Sequence, residues 1–107
     1  MRGDFVTIAL SGDFGKPRPA LVIQADWFSE RETATVLLVS STLVDAPLLR
    51  VTVQPSMENG LQKPSQVMVD KVMTVKQDKL GPSFGRIGED VMVQVERCLA
   101  TFLGIAK

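Results

Sequence analysis

A single stretch of this chain keeps a helical period, and what precedes it is cut into short extended pieces. Near the C-terminus Val91, Val95, Cys98, Leu99 and Phe102 follow the i, i+4, i+7, i+8, i+11 spacing of one buried helix face. Gly88 is placed to act as N-cap, with Glu89 and Asp90 in a first turn where negative charge suits the helix dipole. Ile87 and Met92 stand at the spacing of a hydrophobic staple, and Gly104 suits a C′ position. Upstream, residues Asp4 to Leu10 read as a strand with Val6, Ile8 and Leu10 on one face. Ser11 to Pro19 holds two glycines and two prolines, which predicts a long ordered loop. Ala20 to Ala25 returns to a strand, and a polar turn with Trp27 and Phe28 follows.

Thr35 to Val39 is a continuous apolar run, as expected of a strand covered on both faces. Leu49 to Gln54 alternates, with Leu49, Val51 and Val53 inward and Arg50, Thr52 and Gln54 outward. Pro55 to Pro64 is a turn region around Asn59-Gly60, and Gln66 to Lys76 is strand-like despite Asp70-Lys71 in its middle. A short turn or helix is expected around Gln77 to Leu80. About five short strands and a terminal helix predict a mainly-β, α+β fold. The expected form is one antiparallel, partly open barrel or sheet, with the helix packed on it. At 107 residues the chain is expected to be one domain, residues 1–107.

Charge limits the chemistry. Twelve basic and twelve acidic side chains balance, so any nucleic-acid site must be a local basic pocket on a neutral body. There is no histidine, the side chain most used for proton transfer at neutral pH, and none is available as a zinc ligand. No CxxC pair or clustered carboxylates suggest a metal, so no metal or cofactor is expected. The one cysteine, Cys98, cannot form an internal disulfide and fits a reducing cytoplasm; its apolar neighbours point to a structural thiol. No apolar run approaches a membrane span and the N-terminus lacks a signal-peptide core, so a membrane location is not expected.

Three places can carry chemistry. In Gly15-Lys16-Pro17-Arg18-Pro19, Lys16 and Arg18 each precede a proline, which disfavours helical dihedrals. In an extended chain the two cations project to one side and can clamp a phosphate, or Arg18 can pair with a carboxylate such as Asp13. The hydroxyls of Ser40-Ser41-Thr42, at the end of a buried strand, can bind phosphate or ribose and can equally cap a turn. A Ser-His-Asp triad is excluded for want of a histidine. Asp70-Lys71 is either the outward face of an edge strand or a strand passing a polar site, with Asp70 free to accept a proton.

These blocks, in this order, resemble the MazF/PemK/Kid toxin family over nearly the whole chain. The resemblance runs through Arg2-Gly-Asp-Phe-Val, then Gly15-Lys-Pro-Arg-Pro-Ala-Leu-Val-Ile-Gln, close to the family's Gly-x-x-Arg-Pro-x-Leu-Val-Ile signature. It continues through Val36-Leu-Leu-Val-Ser-Ser, the stretch Pro64 to Val75, and the Leu103-Gly104-Ile105 close of the helix. It implies an SH3-like, CcdB/PemK-like barrel with a C-terminal helix, forming a homodimer. It also implies a toxin that cleaves single-stranded RNA selectively without a metal, restrained by a cognate antitoxin. Arg18 matches the family's catalytic arginine and Ser40 its catalytic threonine; the serine keeps the hydroxyl and loses the methyl that restricts the rotamer. Asp70 matches an acidic position that is a base in some members and an RNA contact in others. Where some members carry a second arginine, this chain has Met68. Phe14, Lys16, Ser41 and Lys71 would line the RNA path, Phe14 by stacking or as a loop anchor.

Two rivals belong to other classes. A gyrase-poisoning toxin resembling CcdB shares the fold, but its mode depends on a Trp-Gly-Ile C-terminus, and Leu103 stands where the tryptophan would be. The other is a catalytically silent RNA-binding module.

Overall fold

The computed structural model describes residues 1–9 and 16–106. Leu10, the Ser11 to Gly15 part of the expected loop and Phe14 therefore lie outside the described residues. Within them, six strands form one antiparallel sheet: β1 Asp4–Ala9, β2 Pro17–Val22, β3 Thr33–Ser40, β4 Arg50–Val53, β5 Ser65–Lys76 and β6 Leu80–Arg86, in the order β4-β5-β3-β2-β1-β6. One helix, α1 Glu89–Phe102, follows.

The apolar run at Thr35–Val39 is buried on both sides, as its composition predicts. Leu37 and Val39 enter a core with Phe5, Leu21, Val67, Val69 and the helix residues Met92 and Val95, while Ala34 and Val36 are buried on the opposite face. Val6 and Ile8 of β1 join that second core, and Phe5 just ahead of them enters the first. In β4, Val51 and Val53 are buried as expected, and Leu49 is half-buried ahead of the strand.

β5 pairs with β3 in two registers. Leu37 opposes Val72, yet Val39 opposes Val67, so a bulge holds the residues between, Asp70-Lys71 among them. β4 pairs with Ser65 to Met68, and the Val69 N–H donates to the Leu49 carbonyl just ahead of β4. In the bulge beyond, Lys71 is exposed and Asp70 is half-buried.

Two expectations need correction. The strand count is six, because Leu80–Arg86 pairs with β1 despite two glycines and a proline. The glycines there answer close approach: a Cβ on Gly81 would stand 2.3 Å from Thr7 Oγ1, and one on Gly85 would stand 2.1 Å from the Asn59 carbonyl oxygen. Pro17 to Pro19 belongs to β2 and not to the loop. β2 pairs with β1 from Leu21 to Pro17, but with β3 only from Val22 to Ala20, so the β3 ladder ends where N–H groups run out.

The helix has the expected ends. Gly88 is the N-cap residue, and Ile87 packs in the same core as Met92. Gly104, at φ +75°, donates to Thr101 O while Ile105 donates to Ala100 O, a Schellman close. The buried stripe centres on Met92 and Val95, with Val91, Cys98 and Leu99 partly covered. Phe102 is 47% exposed, since the last turn runs past the sheet. The Cys98 thiol lies 3.8 Å from Pro47 O, a packing contact.

Gly85→Ala should lose about 1–3 kcal/mol of stability, because its methyl has no room against Asn59. Lys79→Ala, on the exposed turn before β6, should stay within about 0.5 kcal/mol in the same urea titration.

Candidate functional site

The start of β2 and the end of its antiparallel neighbour β3 carry the first two candidates. Ala20 opposes Leu38 and Val22 opposes Val36. Arg18 and Ser40 each lie two residues beyond the Ala20–Leu38 pair, at the same end of the two strands. Arg18 is exposed and held extended by pairing with Ile8 of β1, between two prolines that stiffen the backbone. Lys16 is exposed immediately ahead of β2.

Ser40 is the last residue of β3 and half-buried. Its Oγ accepts a hydrogen bond from the Thr42 N–H at 3.0 Å, so it caps the turn. Capping uses a lone pair, which leaves the hydroxyl hydrogen available to donate. Ser41 is exposed and points the other way, lining a cavity of about 440 Å³ with Thr7, Pro19, Lys63, Ser65 and Phe84.

Ser40 opposes Gln66, and Asp70 and Lys71 lie further along β5 in the bulge that faces Leu38. Asp70 is ion-paired with Arg50, both side chains being largely shielded at 23% and 17% exposure. Lys71 beside it is exposed.

Two residues of consequence escaped the sequence reading. Alternation puts Arg50 on the outward side of β4, yet its side chain is largely shielded against Asp70. Its strand partner is Met68, so a guanidinium reaches that neighbourhood from β4. Gln66 opposes Ser40 and is 6% exposed, with its amide fully bonded to Val44 and Thr52. A glutamine opening a strand gives no signal of this kind, because its partners lie 14 and 22 residues away.

Among the described residues no three His, Cys, Asp or Glu side chains converge as metal ligands would, and no helix is long and apolar enough to cross a membrane. For the Arg50–Asp70 pair, a double-mutant cycle with Arg50→Met and Asp70→Asn should show a coupling of about 1 kcal/mol in chemical denaturation.

Residues 1–103 match the PemK-like, MazF-like toxins of type II toxin–antitoxin systems. A relative from Mycolicibacterium smegmatis, named a probable endoribonuclease MazF, is 44% identical over 106 residues, covering 98% of this chain and 97% of its own. Among solved structures, a mycobacterial endoribonuclease in complex with its cognate antitoxin superposes with a TM-score of 0.85 at 22% identity, over 100% of this chain and 97% of that one. The Mycobacterium tuberculosis toxin MazF-mt6 gives 0.82 at 19% identity, covering 97% and 99%. A MazE–MazF complex from Deinococcus radiodurans gives 0.78 at 20% identity, covering 98% and 96%. At those identities the structural likeness speaks for the fold, while the match over residues 1–103 and the 44% identical relative speak for descent. The chain belongs to the PemK-like, MazF-like toxins of type II toxin–antitoxin systems.

Proposed function

We propose that this toxin is a sequence-selective endoribonuclease that cuts single-stranded RNA, messenger RNA in particular, in the cytoplasm and without a metal ion. The observation that supports the reading is that Arg18 and Ser40 stand at the same end of the paired strands β2 and β3, each two residues past their last pair. Its 44% identical relative bears the name of that activity. The target 2′-oxygen attacks the adjacent phosphorus, the bond to the 5′-oxygen breaks, and a 2′,3′-cyclic phosphate and a 5′-hydroxyl remain. Arg18 holds the phosphoryl oxygens and stabilises the charge that grows on them in the transition state. Ser40 donates its free hydroxyl hydrogen to the same phosphate. The part of Arg18 is electrostatic. Asp70, or a water that it orients, takes the 2′-proton, and solvent water supplies a proton to the leaving 5′-oxygen.

Asp70, ion-paired with Arg50 in the bulge of β5, is the acidic residue assigned to that proton transfer. Lys16, Ser41 and Lys71 line the RNA path, and Phe14, outside the described residues, is assigned there from its sequence position alone. The toxin acts as a homodimer and is restrained by a cognate antitoxin, as the solved complexes of similar proteins suggest. A gyrase-poisoning mode is not favoured, since the family match is to the PemK-like, MazF-like toxins and Leu103 replaces the tryptophan that mode needs.

Purified protein incubated with mixed-sequence single-stranded RNA in excess EDTA should cut at a few discrete sites. Arg18→Ala should lower the rate by about 10²–10³-fold, and Ser40→Ala by at least roughly tenfold. No wild-type cleavage of diverse RNAs, with or without magnesium, would sink the reading; cleavage that survives Arg18→Ala would discard the mechanism.

A further inference from the structure

Ser40 differs from the threonine that its position resembles by lacking the methyl which would limit its χ1 rotamers. A phosphate ligand with a freely turning hydroxyl donates in the right direction only part of the time. The structure contains a second means of fixing that direction. Ser40 Oγ accepts from the Thr42 N–H at 3.0 Å, and this bond holds only while the Thr42 backbone stays in place. One residue intervenes before Val44, and Val44 is clamped from both sides of its peptide. Its N–H donates to Gln66 Oε1 at 3.0 Å, and its carbonyl accepts from Gln66 Nε2 at 3.0 Å. The remaining Nε2 hydrogen goes to Thr52 Oγ1 of β4 at 3.1 Å.

Gln66 is therefore an amide with both donors and its acceptor engaged, 6% exposed, sitting between Ser40 on β3 and Thr52 on β4 as the strand partner of each. A buried amide of this kind leaves no alternative geometry without losing a bond in a water-poor site. It ties the segment after Ser40 to the sheet within four residues of the serine. The segment's far end is closed separately, where the Leu49 and Arg50 N–H groups both donate to Ala46 O, so Gln66 controls the near end.

We propose that Gln66 is a positioning residue for Ser40. By clamping Val44 it keeps the Thr42 N–H on Ser40 Oγ, and so fixes the direction in which the hydroxyl donates to the scissile phosphate. Gln66 supplies through the loop the restraint that a threonine methyl would supply locally. The inference rests on the ribonuclease reading above and concerns the same site.

The test is a cycle on a cleavable RNA, with kcat and KM measured for wild type, Gln66→Leu, Ser40→Thr and the double variant. Gln66→Leu should lower kcat about tenfold, as for one misdirected transition-state donor, and leave KM within about twofold. In the Ser40→Thr background the same change should cost less than about threefold, because the methyl now restricts the rotamer. Equal losses in both backgrounds, or a wild-type kcat in Gln66→Leu, would overturn the proposal. If Gln66→Leu does not fold, Gln66→Glu keeps the volume and loses the donor to the Val44 carbonyl while ionised. Its kcat relative to wild type should rise as pH falls from about 8 to about 5, as the carboxyl regains a proton and can donate again. A ratio that does not change with pH overturns the proposal as well. A wild type that cuts no RNA would instead defeat the ribonuclease reading itself, which separates the two failures.

Discussion

The burial of β3 on both faces organises the rest of the molecule. Leu37 and Val39 look into one core while Ala34 and Val36 look into the other, and β2 and β5 take up the backbone groups on either side. A strand so placed has no exposed face along its apolar run, so polar chemistry can appear only where the run stops. It stops at Ser40, which is half-buried, and Ser41 beyond it is exposed. The candidate site lies at that boundary because a side chain there can be anchored by the core on one side and meet a ligand on the other.

The same two-core arrangement explains the elements around it. β6 closes the β1 edge and must pass so near Thr7 and Asn59 that only glycine fits at Gly81 and Gly85. Phe84 between them stacks on Phe5, with ring centroids 6.0 Å apart. At the other end of the chain Arg2 donates to the Ile23 carbonyl and pairs with Glu96 of α1, while Arg86 pairs with Asp4. The Arg2-Gly3-Asp4 segment thus joins the first strand to the last strand and to the helix. Its role is architectural, with Gly3 at φ +89° where its N–H and carbonyl bond Val22 and Ile87.

A chain with no histidine and no net charge has few ways to accelerate phosphodiester cleavage. What remains is a fixed cation and a directed hydroxyl, and both act only as well as they are held. Arg18 is held by prolines on both sides and by β1; the Ser40 hydroxyl is held by a turn that Gln66 fastens to the sheet. Rigidity of the scaffold and chemistry of the site are in this sense one requirement.

What the sequence determined by itself follows local periodicity and local chemistry. The helix, its glycine ends, the two-sided strand at Thr35–Val39 and the alternating strand at Leu49–Gln54 could all be read from residues that interact within a few positions, or with water. The pairing of Lys16 and Arg18 with prolines, and the hydroxyls closing an apolar run, likewise marked where a ligand could be met. Tertiary structure alone decided what hangs on long-range register. It made a strand of the glycine-rich Leu80–Arg86, because β1 offered an edge that accepts close approach. It brought Arg18 and Ser40 to the same end of β2 and β3, placed Asp70 in a bulge beside Arg50, and turned Gln66 into a clamp on a segment 22 residues away. The physical reason is the same in each case: hydrogen-bond registers and packed contacts between distant segments are properties of the folded sheet, and no spacing along the chain encodes them.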